Sequence, residues 1–257
     1  MKNIKFIFVL ALFLISACSL LFPSTPAFQE ALDVLDSDFV TKVEVKSWFG
    51  DSNYYYKFEP DSDNLTTAFI IYPGGQVDPE AYAPLARAIA DEGYLCFIIK
   101  MPVNLAMLGK NRADEIINDT AYSAVKKRAI GGHSLGGVVA AIYTEDNIDL
   151  IEGLVFWASY PAGSTELRDA DLNVISIYGS LDALSTPDEV LGTGEEDPHS
   201  LPGDTAWVKI TGGNHTQFGY YGTTPDFLQK GDNAATLERD NQTAQIVNYT
   251  VGFLNKL

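Results

Sequence analysis

A serine flanked by glycines is the residue whose surroundings point most directly to chemistry. Ser134 lies in the segment Gly132-His133-Ser134-Leu135-Gly136, a G-x-S-x-G pattern that becomes informative when it follows a strand and opens a helix. Residues 128–131 read as the end of an apolar strand, and residues 138–142 read as a helix. The glycines would permit a strained turn that exposes the hydroxyl, and the helix N-terminus would favour negative charge. The pattern predicts that Ser134 is a nucleophile.

A serine hydroxyl needs a base to activate it, and the chain has only three histidines. His133 lies inside the turn beside Ser134, so we expect a packing or supporting role for it. His199 lies in a polar, acidic loop and is expected to be a solvated surface residue. His215 follows the last predicted strand in a glycine-rich loop, which could carry its side chain over the edge of the sheet. His215 is therefore the predicted base.

The base in turn needs an acid to orient it, and sites of this kind follow the order serine, acid, histidine along the chain. Asp182 comes shortly after the predicted strand 173–178. That position places it on a loop at the carboxyl edge, where open α/β sheets hold their ligands. Asp182 is the preferred acid. Asp188 is the alternative, and it ranks second because it lies farther from the end of the strand.

The negative charge that develops on an attacked carbonyl needs hydrogen-bond donors. The backbone amide of Leu135, directly after the nucleophile, is the first predicted donor. The second should come from the loop Tyr72-Pro73-Gly74-Gly75-Gln76-Val77. Proline has no amide hydrogen, so Gly75 is the first choice there and Gln76 the next.

Apolar runs and helical stretches alternate along the chain, as expected for an α/β fold. Short, continuously apolar runs are typical of strands buried on both faces of a parallel sheet. We expect a mostly parallel eight-stranded sheet, helices on both faces and an antiparallel N-terminal hairpin that turns at 50–53. The predicted strands are 43–49, 54–58, 65–72, 94–100, 129–132, 151–158, 173–178 and 206–210, and the predicted helices are 30–35, 79–92, parts of 105–126, 135–144 and 236–254.

The N-terminus has the pattern of a bacterial lipoprotein signal. Lys2 and Lys5 precede an apolar run at 6–15, which is shorter than the about 20 residues that a membrane-spanning helix needs. Ile15-Ser16-Ala17-Cys18 follows it, and small residues before a cysteine resemble a lipoprotein cleavage site. We expect a signal peptide at 1–17, lipidation of Cys18, a tether at 18–38 and one domain at 39–257. The protein would then be extracytoplasmic and anchored to a bacterial membrane.

Composition narrows the classes of function. The chain of 257 residues is 46% hydrophobic and carries a net charge of −17. A polyanion would be repelled by this charge, so we expect no nucleic-acid partner. Histidine, cysteine and carboxylates do not cluster at the spacing of metal ligands, so neither a metal nor another cofactor is expected. Cys96 lies in an apolar run and is expected to be a buried, unpaired thiol.

Four segments carry a family resemblance: Tyr72-Pro73-Gly74-Gly75 with Val77-Asp78-Pro79-Glu80-Ala81-Tyr82, then Met101-Pro102-Val103-Asn104-Leu105-Ala106, then Gly132-His133-Ser134-Leu135-Gly136-Gly137, and last Gly213-Asn214-His215-Thr216-Gln217-Phe218-Gly219. From about residue 40 onward, the chain resembles the α/β hydrolases, in particular small bacterial enzymes similar to dienelactone hydrolases. Dienelactone hydrolases have a cysteine nucleophile where this chain has Ser134, a departure that favours ester substrates. The usual His-Gly before the oxyanion loop is replaced here by Pro73-Gly74.

The resemblance implies a Ser134–His215–Asp182 triad that forms an acyl-enzyme without a cofactor. The expected substrate is an ester of a small or medium acyl group, because the connection from Ala158 to Asn173 is too short for the helical lid of many lipases. A small apolar cap could come from residues 101–108. The alternatives are an acyltransferase or peptidase with the same triad, or a non-catalytic binding lipoprotein at the cell surface.

Overall fold

The computed structural model of the chain describes residues 24–45, 53–62, 65–193 and 199–257. These residues build one eight-stranded sheet in the order β1-β2-β4-β3-β5-β6-β7-β8. The pairs β1–β2 and β2–β4 are antiparallel, and all the other pairs are parallel. The strands are β1 (Val40–Glu44), β2 (Tyr54–Phe58), β3 (Thr67–Tyr72), β4 (Leu95–Ile99), β5 (Lys127–His133), β6 (Gly153–Trp157), β7 (Asn173–Gly179) and β8 (Ala206–Ile210).

In the described ranges, six α-helices and six 3₁₀ segments accompany these strands. The α-helices are α1 (Gln29–Val34), α2 (Ala83–Asp91), α3 (Asp114–Ile117), α4 (Leu135–Asp146), α5 (Pro187–Leu191) and α6 (Arg239–Leu254). The 3₁₀ segments are Pro79–Tyr82, Pro102–Asn104, Ala106–Ala113, Thr120–Tyr122, Ile148–Leu150 and Thr216–Phe218. None of the helices in the described ranges is long and apolar enough to cross a bilayer.

The sheet has a hydrophobic core on each face because alternate residues of its strands point to opposite sides. In β3, Phe69 and Ile71 contribute to one core, and Ile70 and Tyr72 to the other. The first core is completed by α1, α2 and α6, and the second by α4 and the segment from Ala106 to Ile117. The expected fold, an α/β-hydrolase sheet with an antiparallel hairpin and helices on both faces, is confirmed.

Two element predictions need correction. The first strand was expected at 43–49 but runs over Val40–Glu44. No residue of this edge strand is buried, so it lacks the apolar pattern by which the other strands were found. Residues 46–52, with most of the predicted turn, lie outside the described residues. The stretch 105–126 forms mainly 3₁₀ segments, and its only α-helix is the four-residue α3.

The residues before α1 pair with loops at the carboxyl edge of the sheet. Thr25 forms a parallel bridge with Val77, and Ala27 forms an antiparallel bridge with Tyr221. The amide of Thr25 donates to the carbonyl of Gln76 at 2.6 Å. The first described residues therefore lie against the loop that follows β3.

Candidate active site

The turn from β5 into α4 presents Ser134 at the carboxyl edge of the sheet. Ser134 has φ 51° and ψ −124°, a left-handed conformation that a non-glycine residue adopts only at a cost. A Cβ on Gly132 would lie 2.3 Å from the Tyr72 carbonyl oxygen, and one on Gly136 would lie 2.0 Å from the same atom. Neither position can accept a side chain. The two glycines let the turn approach the end of β3 closely enough to form.

The loops after β7 and β8 bring a carboxylate and an imidazole together at this edge. Nδ1 of His215 lies 2.9 Å from Oδ2 of Asp182, and the two residues are 1% and 3% exposed. The other carboxylate oxygen, Oδ1, accepts the amides of Leu184 at 2.8 Å and Ser185 at 2.7 Å. Asp182 is thus held as a fully bonded acceptor facing Nδ1–H of His215.

Ser134 makes no side-chain hydrogen bond with another described residue, including His215. The ring of His215 lies 4.5 Å, centre to centre, from the ring of His133, which directly precedes Ser134. The structure therefore brings Ser134, His215 and Asp182 to one edge, with the bond between acid and base formed. Hydrogen bonds from nucleophile to base often tighten only once substrate is bound.

The buried side chains of Gln242 and Asp232 fix the backbone on both sides of His215. The side-chain amide of Gln242 in α6 accepts the Asn214 amide hydrogen at 3.1 Å and donates to the Asn214 carbonyl at 2.8 Å. Asp232 accepts from the amide and the hydroxyl of Thr216 at 2.8 and 2.6 Å. It also accepts from the amide of Ala183 at 3.3 Å. Asp232 therefore joins the loop of the base to the loop of the acid.

In the loop after β3, one backbone amide near Ser134 donates no hydrogen bond to another described residue. Gly74 donates to the hydroxyl of Tyr82 at 2.9 Å, and Gln76 donates to the carbonyl of Asn104 at 2.7 Å. The amide of Gly75 has no acceptor among the described residues, and a Cβ there would lie 3.1 Å from the Leu135 side chain. The amide of Leu135 opens α4, where first-turn amides have no partner within the helix. The geometry thus favours Gly75 over Gln76 as the second donor.

His133 is buried beside the base and paired with a tyrosine. Its Nδ1 lies 2.9 Å from the hydroxyl of Tyr82, and its ring stacks on Phe218 at 5.8 Å between centres. Burial lowers the pKa of His133 well below its ordinary value. The charge of His215 acts in the same direction, and the His215 backbone opposes it. His133 is therefore neutral at neutral pH.

Backbone strain among the described residues is concentrated at this edge. The non-glycine residues with positive φ all follow the carboxyl ends of β3, β4, β5 and β6, and they are Gln76 (59°), Val103 (45°), Asn104 (56°), Ser134 (51°) and Ala158 (46°). Each such residue costs about 1–3 kcal/mol and persists only where its surroundings impose it. Strain of this kind is typical of functional sites.

The remaining sequence candidates lie away from this arrangement. Asp188 is exposed on α5 and bonds the hydroxyl of Thr193 at 3.0 Å. His199 is not the freely solvated residue that its polar loop suggests. Its ring stacks on Tyr160 at 5.1 Å, and its Nε2 lies 2.7 Å from the Glu189 carbonyl oxygen. The proposed lipidation site Cys18 lies outside the described residues.

A match to a known family model shows which protein family the chain belongs to. Residues 68–244, more than half of the chain, match the family model described as the alpha/beta hydrolase family. The chain is an α/β hydrolase. None of the curated protein sequences compared with this hydrolase matches it.

Solved structures with the same fold include several esterases and hydrolases. A thermophilic esterase of Thermogutta terrifontis, Est2, is 14% identical, with a TM-score of 0.60 over 85% of this chain and 92% of that one. A protein assigned as a dienelactone hydrolase from Klebsiella pneumoniae is 16% identical, with a TM-score of 0.59 over 85% and 98% of the two chains. A protein assigned as a CIB-like hydrolase from Thermoplasma acidophilum is 14% identical, with a TM-score of 0.59 over 85% and 99%. At these identities the likeness establishes the shared fold.

Sequence reasoning did not identify three residues that support the hydrolase site: Tyr82, Asp232 and Gln242. Tyr82 appeared only within the predicted helix 79–92 and a segment of the family resemblance, and its phenol hydroxyl was the one available signal of a polar role. Asp232 and Gln242 act on residues 16 and 28 positions away, and no local pattern marks them. Within the described ranges, no group of three or more histidine, cysteine and acidic side chains could hold a metal ion.

Proposed function

We propose that this α/β hydrolase is a serine esterase that cleaves esters of small or medium acyl groups, with Ser134 as nucleophile, His215 as base and Asp182 as acid. The observation that carries the proposal is the buried bond of 2.9 Å between His215 Nδ1 and Asp182 Oδ2, at the edge where Ser134 occupies its strained turn. A buried acid–base pair beside a serine in such a turn is the arrangement that acyl transfer requires.

The proposed reaction has two halves. The hydroxyl oxygen of Ser134 attacks the ester carbonyl while Nε2 of His215 takes its proton. Asp182 holds Nδ1–H of His215 and stabilises the imidazolium that forms. The imidazolium then protonates the departing alcohol, which leaves an acyl group on Ser134. In the second half, His215 removes a proton from water, and the resulting attack releases the acid and restores the serine.

The negative charge on the tetrahedral intermediate would be stabilised by two backbone amides, those of Leu135 and Gly75. Neither amide has an intramolecular acceptor in the described part of the chain, so both can donate to an oxyanion without breaking an existing bond. The start of α4 adds the positive end of a helix dipole at the same place. Such donors typically contribute factors of about 10²–10³ to kcat.

The substrate class rests on the surroundings of the site. Residues 159–172, between β6 and β7, contain no helix that could form a lid. The esterase of Thermogutta terrifontis, which shares the fold, has been solved with propionate and with butyrate bound. Both features support short acyl groups. We therefore expect nitrophenyl butyrate to be a better substrate than nitrophenyl palmitate. Highest specificity for a long acyl chain such as palmitate would contradict this assignment.

The experiment compares ester hydrolysis by the wild type, Ser134→Ala and Ser123→Ala. Ser123 is an exposed serine before β5, at the end of that strand opposite to Ser134, and serves as a matched control. We expect Ser134→Ala to lower kcat for nitrophenyl butyrate by about 10⁴-fold or more, and Ser123→Ala to retain the wild-type rate. Hydrolysis that persists in Ser134→Ala would overturn the assignment.

We also propose that the enzyme is lipidated at Cys18 and held at a bacterial membrane. The signal pattern before Cys18 supports this location. The pairing of Thr25 with the loop after β3 adds a geometric consequence. Thr25 lies seven positions after Cys18, a distance of about 25 Å at most, so the anchor would hold the carboxyl edge of the sheet close to the bilayer.

A further inference from the structure

A buried chain of hydrogen bonds links the loop after β3 to the end of β5. The amide of Gly74 donates to the hydroxyl of Tyr82 at 2.9 Å, and that hydroxyl lies 2.9 Å from Nδ1 of His133. Tyr82 is 0% exposed and His133 is 1% exposed. Water therefore does not compete for these bonds, and an unmade bond here would be costly.

The donors and acceptors in this chain can be assigned a direction. A phenol hydroxyl has one proton, and burial raises the pKa of Tyr82 so that the proton stays in place. The Tyr82 oxygen accepts from Gly74, and we assign the Tyr82 proton to the bond with Nδ1 of His133, the acceptor 2.9 Å away. In that arrangement neutral His133 carries its ring proton on Nε2, which has no hydrogen-bond partner among the described residues. A proton on Nδ1 would reverse the bond, with Nδ1–H donating to the Tyr82 oxygen.

Each end of the chain adjoins a reacting group. Gly74 precedes Gly75, whose amide has no acceptor among the described residues and whose Cα lies against the Leu135 side chain. His133 precedes Ser134, and its ring lies 4.5 Å from that of His215. A Cβ at Gly74 would lie 2.7 Å from Nδ1 of His133 and 2.8 Å from the Tyr82 hydroxyl. The close approach of loop, tyrosine and histidine therefore requires glycine at position 74.

We propose that Tyr82 and His133 are positioning residues for ester cleavage. Their hydrogen-bonded pair fixes the Gly75 amide, the Ser134 turn and the His215 ring in position relative to one another. This inference rests on the proposed esterase function. Neither residue takes part in the bond changes of the proposed reaction. A shift of about 1 Å in an oxyanion donor is enough to cost about 10²-fold in rate.

Tyr82→Phe tests the pair, and Tyr94→Phe is its matched control. Tyr94 directly precedes β4, at the opposite edge of the sheet, and its hydroxyl donates to the side chain of Asn255. We expect Tyr82→Phe to lower kcat for nitrophenyl butyrate by about 10–100-fold with KM within about threefold, and Tyr94→Phe to keep both constants. Affinity for an alkyl boronic acid, which mimics the tetrahedral intermediate, should fall by the same factor as kcat/KM. An unchanged boronate affinity in Tyr82→Phe would overturn the proposal.

Two substitutions of His133 separate hydrogen bonding from packing. In His133→Asn, the side-chain oxygen can accept from Tyr82 in place of Nδ1, whereas His133→Leu has no acceptor. We expect the asparagine variant to keep kcat within about fivefold and the leucine variant to lose as much as Tyr82→Phe. Equal losses in the two variants would show that only the volume of the ring matters, against the proposal.

The tautomer of His133 gives a readout that is independent of activity. Nitrogen-15 NMR of the histidine rings should show His133 neutral, with its proton on Nε2, from pH 5.5 to 8. In Tyr82→Phe the proton should distribute over both nitrogens. A proton on Nδ1 in the wild type would refute the donation from Tyr82 to His133. Absence of esterase activity together with the expected tautomer would refute the proposed function while leaving the pair intact.

Discussion

At the scale of single residues, the site is a set of buried polar groups whose hydrogen bonds are almost fully made. Asp182 accepts three hydrogen bonds, two of them from backbone amides. The sequence marked the residues that would carry the chemistry, because motif, strand end and order along the chain are local signals. It did not mark Tyr82 or Asp232, because their partners are distant in sequence and their roles depend on how the loops meet.

Asp232 should be important for both stability and turnover. In Asp232→Asn, one carboxylate oxygen becomes an amide donor that faces the hydrogens of Thr216 or of the backbone at Ala183. We expect a loss of about 1–3 kcal/mol in the free energy of unfolding, because a buried donor would then face another donor. Since the loops of His215 and Asp182 are joined here, kcat should also fall by about tenfold or more.

Urea unfolding and ester kinetics measure these two losses. Asp204→Asn, at an exposed aspartate in the turn before β8, is the matched control and should change neither quantity. Wild-type stability and kcat in Asp232→Asn would show that Asp232 does not brace the two loops.

His133 predicts how stability depends on pH. Its pKa is lowered in the folded state because of burial and the neighbouring His215, so the unfolded chain binds a proton more readily. The stability associated with neutral His133 is therefore present above the unfolded pKa of about 6.5 and is lost as the pH falls below it. Each pH unit in that window removes up to about 1.4 kcal/mol.

Urea unfolding at pH 7.5 and 5.0 tests this window. His133→Asn has no titrating ring and should lose less stability than the wild type between the two pH values. If both proteins lose the same amount, the ring of His133 is not held neutral in the folded state.

At the scale of elements, the site is formed where β5 turns into α4 and where the loops after β3, β7 and β8 converge. Most strands were predictable because they are short apolar runs, and the antiparallel β2 and the parallel β8 have the predicted bounds. The edge strand β1 and the segment after β4 were not well predicted. The first buries no residue, and 3₁₀ segments lack the 3.6-residue periodicity by which helices are found.

The turn between β5 and α4 should tolerate no side chain at Gly136. A Cβ there would lie 2.0 Å from the Tyr72 carbonyl oxygen and 2.5 Å from that of Pro73, both of which are backbone atoms. We expect Gly136→Ala to lose about 3 kcal/mol or more of folding stability and to lose activity. Gly163→Ala is the control, since a Cβ at Gly163 meets nothing within 4 Å. A Gly136→Ala protein with normal stability and kcat would mean that the turn is looser than the structure describes.

At the scale of the whole molecule, the fold gathers Ser134, Asp182 and His215 at one edge, and the segment before α1 pairs with that same edge. The acidic surface, with a net charge of −17, suits a small-molecule substrate better than a polyanion. Membership of the α/β hydrolases follows from the match over residues 68–244. The acyl group of the substrate was not predictable from the fold. The side chains around the site set the shape of the pocket, and these side chains differ between proteins of the same fold.

Lipidation should set where the enzyme is found without changing its chemistry. In cells, Cys18→Ser should abolish incorporation of labelled palmitate and release the protein into the soluble fraction. Its kcat on nitrophenyl butyrate should equal that of the wild type, because the reacting groups belong to the folded domain. Palmitate incorporation that survives Cys18→Ser would refute the lipid anchor.

The central claim is that Ser134 is the nucleophile, and covalent labelling tests it most directly. A fluorophosphonate reacts with a serine only where a base activates the hydroxyl, so the label reports the working site. After treatment of the wild-type protein, mass spectrometry of its peptides should place one phosphonyl group on Ser134. Ser134→Ala should remain unlabelled, and His215→Ala should label far more slowly. A wild-type protein that takes up no label, or carries it on another residue, would contradict the account.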